Sequence, residues 1–174
     1  MSNAKGPGIV LVTGAGRRIG REIALAFARW GWAVGVHWNR SESDARAVVA
    51  EIAAAGGRAA LTPGDLSTPE GPEVAYEICR SALGAPCCVV NNASMFEYDE
   101  IHSLDMDRWD AHHAVNLRAP VFLARLLAEG LPAGRDGVVV NILDQRVWKP
   151  TPHYLSYATS KAALWEATRM LAQG

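Results

Sequence analysis

Gly8-Ile9-Val10-Leu11-Val12-Thr13-Gly14-Ala15-Gly16-Arg17-Arg18-Ile19-Gly20 is an apolar run ending in a glycine-rich turn, and Ile23, Ala24, Phe27 and Ala28 follow it at helical spacing. The order is strand, turn, helix. Glycines let a backbone approach a pyrophosphate closely, and a helix N-terminus offers it unpaired N–H groups and a partial positive charge. Taken alone, such a turn is equally a tight strand-to-helix connection. Here it opens a series of alternating strand and helix patterns, which makes it a candidate dinucleotide site.

The series runs through the chain. Strands are expected near 8–13, 33–38, 58–62, 86–91 and 137–143, and helices near 18–30, 42–55, 70–83, 107–129 and 154–173. Strands that are continuous apolar runs, alternating with helices, indicate an α/β fold with a parallel sheet covered on both faces. A doubly wound, Rossmann-type sheet of order 3-2-1-4-5 is the natural assignment, with its ligand cleft outside the strand ends at the order reversal between strands 1 and 4. Gly14 to Gly20, Asn91 to Phe96 and Asp144 all fall just past strand ends and should converge there. Gly56-Gly57 ends a helix before the third strand, and no repeat or linker divides the chain.

Composition fits one globular domain: 174 residues, 49% hydrophobic, 20% charged and a net charge of -1. There is no basic excess to suggest a nucleic-acid partner. Apolar runs are too short to span a bilayer and no secretory leader is visible, so no membrane partner and a cytoplasmic location are expected. Met1-Ser2-Asn3-Ala4 looks like an expression-vector remnant; residues 1–5 are read as that remnant and a disordered start, and 6–174 as the single domain. Cys79, Cys87 and Cys88 lack metal-ligand spacing and read as small buried residues. His112-His113 point to different faces of one helix, the five histidines form no ligand cluster, and no metal is expected.

The chemistry concentrates in Asp144 and, thirteen residues on, Tyr157-Ala158-Thr159-Ser160-Lys161. Tyr157 and Lys161 lie i, i+4 on a helix, so a cation can sit beside a phenol. A free tyrosine titrates near about 10, and a nearby ammonium would lower that by stabilising the phenolate, producing a proton donor. Any helix can carry such a pair, so it gains weight only from the glycine turn.

Thr13-Gly14 with Gly20 after the first strand, Asn91-Asn92-Ala93 after the fourth, Asn116 in the following helix, and Tyr157 with Lys161 together resemble the short-chain dehydrogenase/reductase family. These motifs span nearly the whole chain in the family's order. The resemblance implies that Asn116 is a fourth catalytic residue ordering a water linked to Lys161, and that Lys161 holds the nicotinamide ribose. It also implies dinucleotide contacts from Gly14, Ile19, Gly20, Asn92, Ala93, Tyr157 and Lys161, with Asp65-Leu66 meeting the adenine. Capping of the next helix by Ser67 is an equally ordinary use of that loop.

Cofactor choice is read at the end of the second strand. NAD-binding folds of this type place a carboxylate there for the ribose 2′-hydroxyl, whereas a 2′-phosphate wants cations. This chain has His37-Trp38-Asn39-Arg40-Ser41, with Arg17 in the glycine turn, and guanidinium forks suit a phosphate. NADPH is the expected cofactor, although Arg40 on a loop could be merely solvated.

Three departures from the broad family point one way. Arg18 replaces the turn's central glycine, Ser94 the glycine after Asn-Asn-Ala, and Asp144 the catalytic serine. With the string His37 to Ser41 and with Phe96, they are similar to pteridine reductases and bacterial dihydromonapterin reductases. In that branch the residue matching Phe96 stacks the pterin against the nicotinamide, and those matching Ser94 and Arg18 contact pterin and cofactor phosphates. Reducing a ring C=N needs a proton delivered to nitrogen, which a carboxyl group can relay through a tyrosine. Substrate contacts are therefore expected from Arg18, Ser94, Phe96, Asp144 and Tyr157, with Tyr154 and Trp148 as further candidate lining residues; Asp144 could otherwise be a loop-satisfying acceptor.

The expected function is an NADPH-dependent reductase of a small pterin-type C=N substrate such as a dihydropterin, dihydromonapterin or dihydrofolate. The alternatives are a ketone or 3-oxoacyl reductase, or a non-catalytic nucleotide-binding fragment. The family normally continues past Gly174 with further strands, a loop holding the nicotinamide and a flap, so the sequence is expected to be a fragment of a longer protein, its sheet ending on an open fifth strand. The last helix, from Ala158 through Leu171, has little polar face, which suggests burial on more than one side and, by resemblance, a homo-oligomer, dimer or tetramer.

Overall fold

In the computed structural model, which describes residues 7–173, five parallel strands stand in the order β3-β2-β1-β4-β5. They are β1 (Ile9–Val12), β2 (Ala33–Trp38), β3 (Arg58–Pro63), β4 (Cys88–Asn91) and β5 (Val138–Asn141). The helices are α1 (Arg18–Arg29), α2 (Glu42–Ala54), α3 (Gly71–Leu83), α4 (Met106–His113), α5 (Ala119–Gly130) and α6 (Leu155–Leu171). The expected architecture and sheet order are found. Residues 1–5, read from sequence as a remnant, lie outside the described residues.

The two faces of the sheet explain its unbroken apolar strands. Side chains alternate, so Val10, Val12, Val34, Val36, Cys88 and Val90 pack with Ala24, Val48 and Ile52 of α1 and α2. On the other face Leu11 and Val89 meet Tyr76 and Cys79 of α3 and Leu123 and Leu127 of α5. Gly35 shows how close that packing is: a Cβ there would lie 2.6 Å from Cys79 Sγ. The three cysteines are buried as expected, and burial pushes the Cys79 and Cys88 thiols up to about 12. On β5, Val138 and Val140 are exposed, consistent with an edge position.

Two expectations are corrected. The helix expected over 107–129 is interrupted by a π-helical turn, Ala114–Arg118, between α4 and α5. Pro120 supplies the reason: it has no N–H to give to the carbonyl of Asn116, four residues earlier, so the regular ladder cannot pass this point. In the single chain α6 also does not bury several sides. Ser156, Tyr157, Ser160, Lys161 and Leu164 are buried, while Met170 and Leu171 are exposed. Among the described residues no helix is long and apolar enough to cross a membrane.

Candidate active site

The glycine turn is held in shape mostly by backbone and neutral side chains. Gly14 has φ 62°, and a Cβ on Gly20 would lie 2.2 Å from the Gly14 carbonyl, so neither position accommodates a side chain without displacing the turn. Asn92 Nδ2 donates to the carbonyls of Thr13 (2.9 Å) and Gly14 (3.2 Å), tying the end of β4 to the end of β1. Thr13 Oγ1 accepts from the amides of Asn92 and Ala93, both at 2.9 Å. Thr13 was not singled out from sequence as a site residue, although its place before Gly14 was the available signal. Arg18 adopts φ 49°, the left-handed region, which gives a physical reason for a glycine being usual there.

The N-terminus of α1 has no side-chain cap and no acidic residue in its first turn. Its leading amides and dipole are therefore available to an anion, the chemistry a pyrophosphate needs. Beside it lies a cleft of about 380 Å³ lined by Asn39, Arg40, Asp65, Leu66, Ala93 and Ser94, among others. The structure thus brings together expected residues from the ends of β2, β3 and β4. Of the two arginines expected at a 2′-phosphate, Arg17 is paired with Asp44 on α2, whereas Arg40 is exposed and has no ion pair among the described residues. Asp65 accepts from the Ser67 amide (2.9 Å) and hydroxyl (2.7 Å), and those bonds hold its carboxyl below the usual range.

His37, expected as a cofactor contact, also braces the glycine turn. Its ring lines the cleft, but Nδ1 accepts from the Gly14 amide and Nε2 faces the Gly64 carbonyl, each at 3.0 Å. That pairing requires the neutral Nε2–H tautomer. Burial lowers its pKa to about 4, so the ring is uncharged and both nitrogens are spent holding the turn.

The second part of the site lies past β5. Tyr157 on α6 is buried, and its hydroxyl donates to Asp144 Oδ2 at 3.1 Å. Asp144 caps a 3-10 turn, Gln145–Val147, through Oδ1, which accepts from the Arg146 amide at 2.8 Å. Arg146 also reaches back, its Nη1 lying 3.2 and 3.3 Å from the two carboxylate oxygens. Burial alone would raise the Asp144 pKa, but the bonds from Arg146 and Tyr157 and the Arg146 charge outweigh it. Asp144 is therefore an ionised acceptor in this arrangement.

This overturns the expected electrostatics of Tyr157. Lys161 Nζ donates to the Ile142 carbonyl at 2.9 Å and lies 5.9 Å from the centre of the Tyr157 ring. Burial, followed by the neighbouring Asp144 anion, raises the phenol above its ordinary value; the opposing cation is Arg146. Lys161 itself is lowered to about 8 by burial, which Asp144 partly resists.

Asn116 sits in the π turn, fully buried. It accepts from the Met95 amide (2.9 Å) and the Ser94 hydroxyl (3.2 Å), and donates to the Met95 carbonyl and to Ser160 Oγ, both at 3.0 Å. It thereby joins the loop after β4 to α6. Phe96 is stacked on Tyr154, centres 4.4 Å apart and planes 8° from parallel, and meets Tyr157 edge-on at 4.6 Å; it remains 51% exposed. Trp148 is exposed and packs edge-on against Trp165 rather than against this aromatic group. Arg18 and Ile19 stand exposed on the glycine turn.

Behind Tyr157 lies a buried network that the sequence reading missed. His112 Nε2 accepts from the Glu97 amide at 3.1 Å, so Nδ1 carries the proton and donates to Ser156 Oγ at 2.6 Å. Ser156 in turn donates to the fully buried Asp99, whose carboxylate also accepts the Ser156 amide at 3.2 Å. Asp99 therefore caps α6 from a distant loop, in place of the helix's own N-cap Tyr154, which has φ 58° and makes no side-chain cap.

The profile of the short chain dehydrogenase family matches residues 8–174. The chain belongs to that family. It is 32% identical to a short-chain type dehydrogenase/reductase from Picea abies over 95% of this chain and 64% of that protein. The chain thus spans less than two thirds of that relative's length. Among solved structures it is similar to FolM alternative dihydrofolate reductase 1 from Brucella canis complexed with NADP, at 44% identity and TM-score 0.92, covering 96% of this chain and 68% of that one. It is also similar to the landomycin C-6 ketoreductase LanV with bound NADP and rabelomycin, at 28% identity and TM-score 0.87, over 97% and 72% of the two chains.

Proposed function

We propose that this chain carries the cofactor-binding and proton-transfer elements of an NADPH-dependent reductase acting on the C=N bond of a pterin. The observation that carries the reading is the hydrogen bond from Tyr157 to Asp144, a carboxylate where a ketone-reducing site of this family has a serine hydroxyl. A carboxylate beside the reacting atoms opposes the negative charge that develops on a carbonyl oxygen and favours a protonated ring nitrogen. The likeness to FolM, whose structure holds NADP, supports the same reading.

The residues fit the cofactor. The uncapped α1 N-terminus suits its pyrophosphate, Arg40 and Asn39 its 2′-phosphate, and Asp65 and Leu66 its adenine end, while Ser94 and the exposed Phe96 are assigned to the substrate. When bound, NADPH supplies the hydride. Tyr157 gives its proton to the substrate nitrogen; before substrate arrives Asp144 Oδ2 accepts the hydrogen bond of that proton, and the transfer exchanges this hydrogen bond for one to the nitrogen. Asn116 fixes the Ser94 and Phe96 loop against α6, and Phe96 offers its exposed surface to a flat ring. The apolar Met170 and Leu171 on α6 support assembly into a homo-oligomer.

The test is NADPH oxidation by the purified protein with a dihydropterin and, in parallel, a 3-oxoacyl thioester. Preference for the dihydropterin is expected. Preference for the thioester would move the assignment to ketone reduction, the activity named for LanV; NADPH binding without turnover of either would leave a nucleotide-binding fragment.

A further inference from the structure

We propose that Arg146 is a positioning residue: its guanidinium grips both oxygens of Asp144 and keeps that carboxylate aimed at the Tyr157 hydroxyl. The inference deepens the reductase reading and rests on it for its kinetic consequence. Three features single out Arg146. Its backbone amide binds Oδ1 and its Nη1 reaches both oxygens, so one residue fixes the plane of the carboxylate while Oδ2 also accepts from Tyr157. Its guanidinium carbon lies 5.0 Å from the centre of the Tyr154 ring and 5.7 Å from that of Phe96, so the group holding the carboxylate also covers the aromatic platform. Its Nε is buried with no acceptor among the described residues. A buried, unsatisfied donor costs stability, so this guanidinium is poorly explained as packing alone.

Lys161 does not duplicate this work. Its ammonium is committed to the Ile142 carbonyl, and it approaches the Tyr157 ring only to 5.9 Å. The charged and titratable groups facing Asp144 are thus Arg146 from its own loop and Tyr157 and Lys161 from α6. Of these, only Arg146 and Tyr157 hydrogen-bond to it. Without the guanidinium, a partly buried carboxylate loses its cation and takes up a proton more readily. A protonated Asp144 becomes a competing donor, and the Tyr157 hydroxyl loses the acceptor that orients it.

The experiment follows the Asp144 carboxyl carbon by NMR in the full chain labelled with 13C-aspartate, its signal assigned by its loss in Asp144→Asn. In Arg146→Gln the Asp144 titration midpoint is expected to move up, and in Arg146→Lys to return toward the parent value. Arg146→Met, which keeps the aliphatic stem over the aromatic pair, serves if the glutamine variant fails to fold. An unchanged midpoint in the charge-free variants overturns the proposal. This readout needs no turnover, so it stands apart from any failure of the reductase reading. Where a dihydropterin is turned over, the acid limb of kcat should move up in step with the midpoint, with NADPH affinity unchanged; a shifted midpoint with an unmoved acid limb would also overturn the positioning role.

Discussion

The two halves of the site are held by different physics. Around the glycine turn the buried bonds are neutral, the exposed Arg17–Asp44 pair aside: Asn92 and Thr13 pin backbone to backbone, and an uncharged His37 bridges Gly14 and Gly64. Past β5 the bonds are charged, with Asp144 between Arg146 and Tyr157 and a buried Lys161 against a carbonyl. A neutral, buried lock fixes a shape and resists changes of pH until it is forced to ionise. A charged corner can move a proton, but its state depends on each member's partner. In this chain the glycine turn and the Tyr157 corner thus rest on separate supports.

The largest effect expected from separating them is in Tyr157→Phe. Losing the hydroxyl removes the proton donor but none of the turn's bonds, so turnover of a dihydropterin should fall by about 10²–10⁴-fold while NADPH affinity holds. Steady-state rates beside a fluorescence titration of NADPH check this. Retained turnover would remove Tyr157 from the mechanism, and a parallel loss of NADPH binding would show that the two halves are not separate.

The neutral half should fail in acid. His37 has a folded pKa of about 4 against the ordinary 6.5, so between those values the unfolded chain binds a proton that the folded chain refuses. Its stability contribution is therefore fully present above about pH 6.5, declines as pH falls toward 4, and amounts to roughly 3 kcal/mol over that window. Urea midpoints measured from pH 7 to pH 4 should drop accordingly. They should drop less in His37→Gln, and an equal slope in the variant would assign the acid sensitivity elsewhere.

How much of this was legible in the sequence also divides along the two halves. The sheet order and the turn followed from apolar runs and glycine placement, because local periodicity and close approach are set by the chain itself, whereas Asp65, Leu66, Asn92 and Ala93 came from the family resemblance and Arg40 from the charge a 2′-phosphate wants. The role of His37 was not legible, since its partners Gly14 and Gly64 are brought to it only by the sheet. Tyr157 and Lys161 were visible as a helical pair, but the cation hydrogen-bonded into the Tyr157–Asp144 chain is Arg146, because Lys161 turns to Ile142. The spacing of Arg146 two residues after Asp144 was a signal left unused. The π turn could have been suspected from Pro120, whereas Asp99, His112 and Ser156 lie far apart in sequence and meet only through tertiary packing.

That buried network gives the smallest effect and the sharpest test of the division, because it lies beneath the charged half yet is built to be rigid. Asp99 holds the first turn of α6 by accepting from the Ser156 amide and hydroxyl, and Ser156 is locked in turn by His112. Asp99→Asn keeps the shape but replaces one acceptor oxygen with a donor facing other donors, which should cost about 1–2 kcal/mol, the range of a lost helix cap or buried hydrogen bond. The loss should appear in the urea midpoint at neutral pH. Since α6 carries both Tyr157 and Lys161, kcat should decline while NADPH affinity, proposed to rest mainly on the glycine turn and the Arg40–Asp65 cleft, stays constant. A fall in NADPH affinity comparable to the fall in kcat would mean that the cap of α6 and the turn after β1 act as one unit, and the division between a binding half and a proton-transfer half would have to be abandoned.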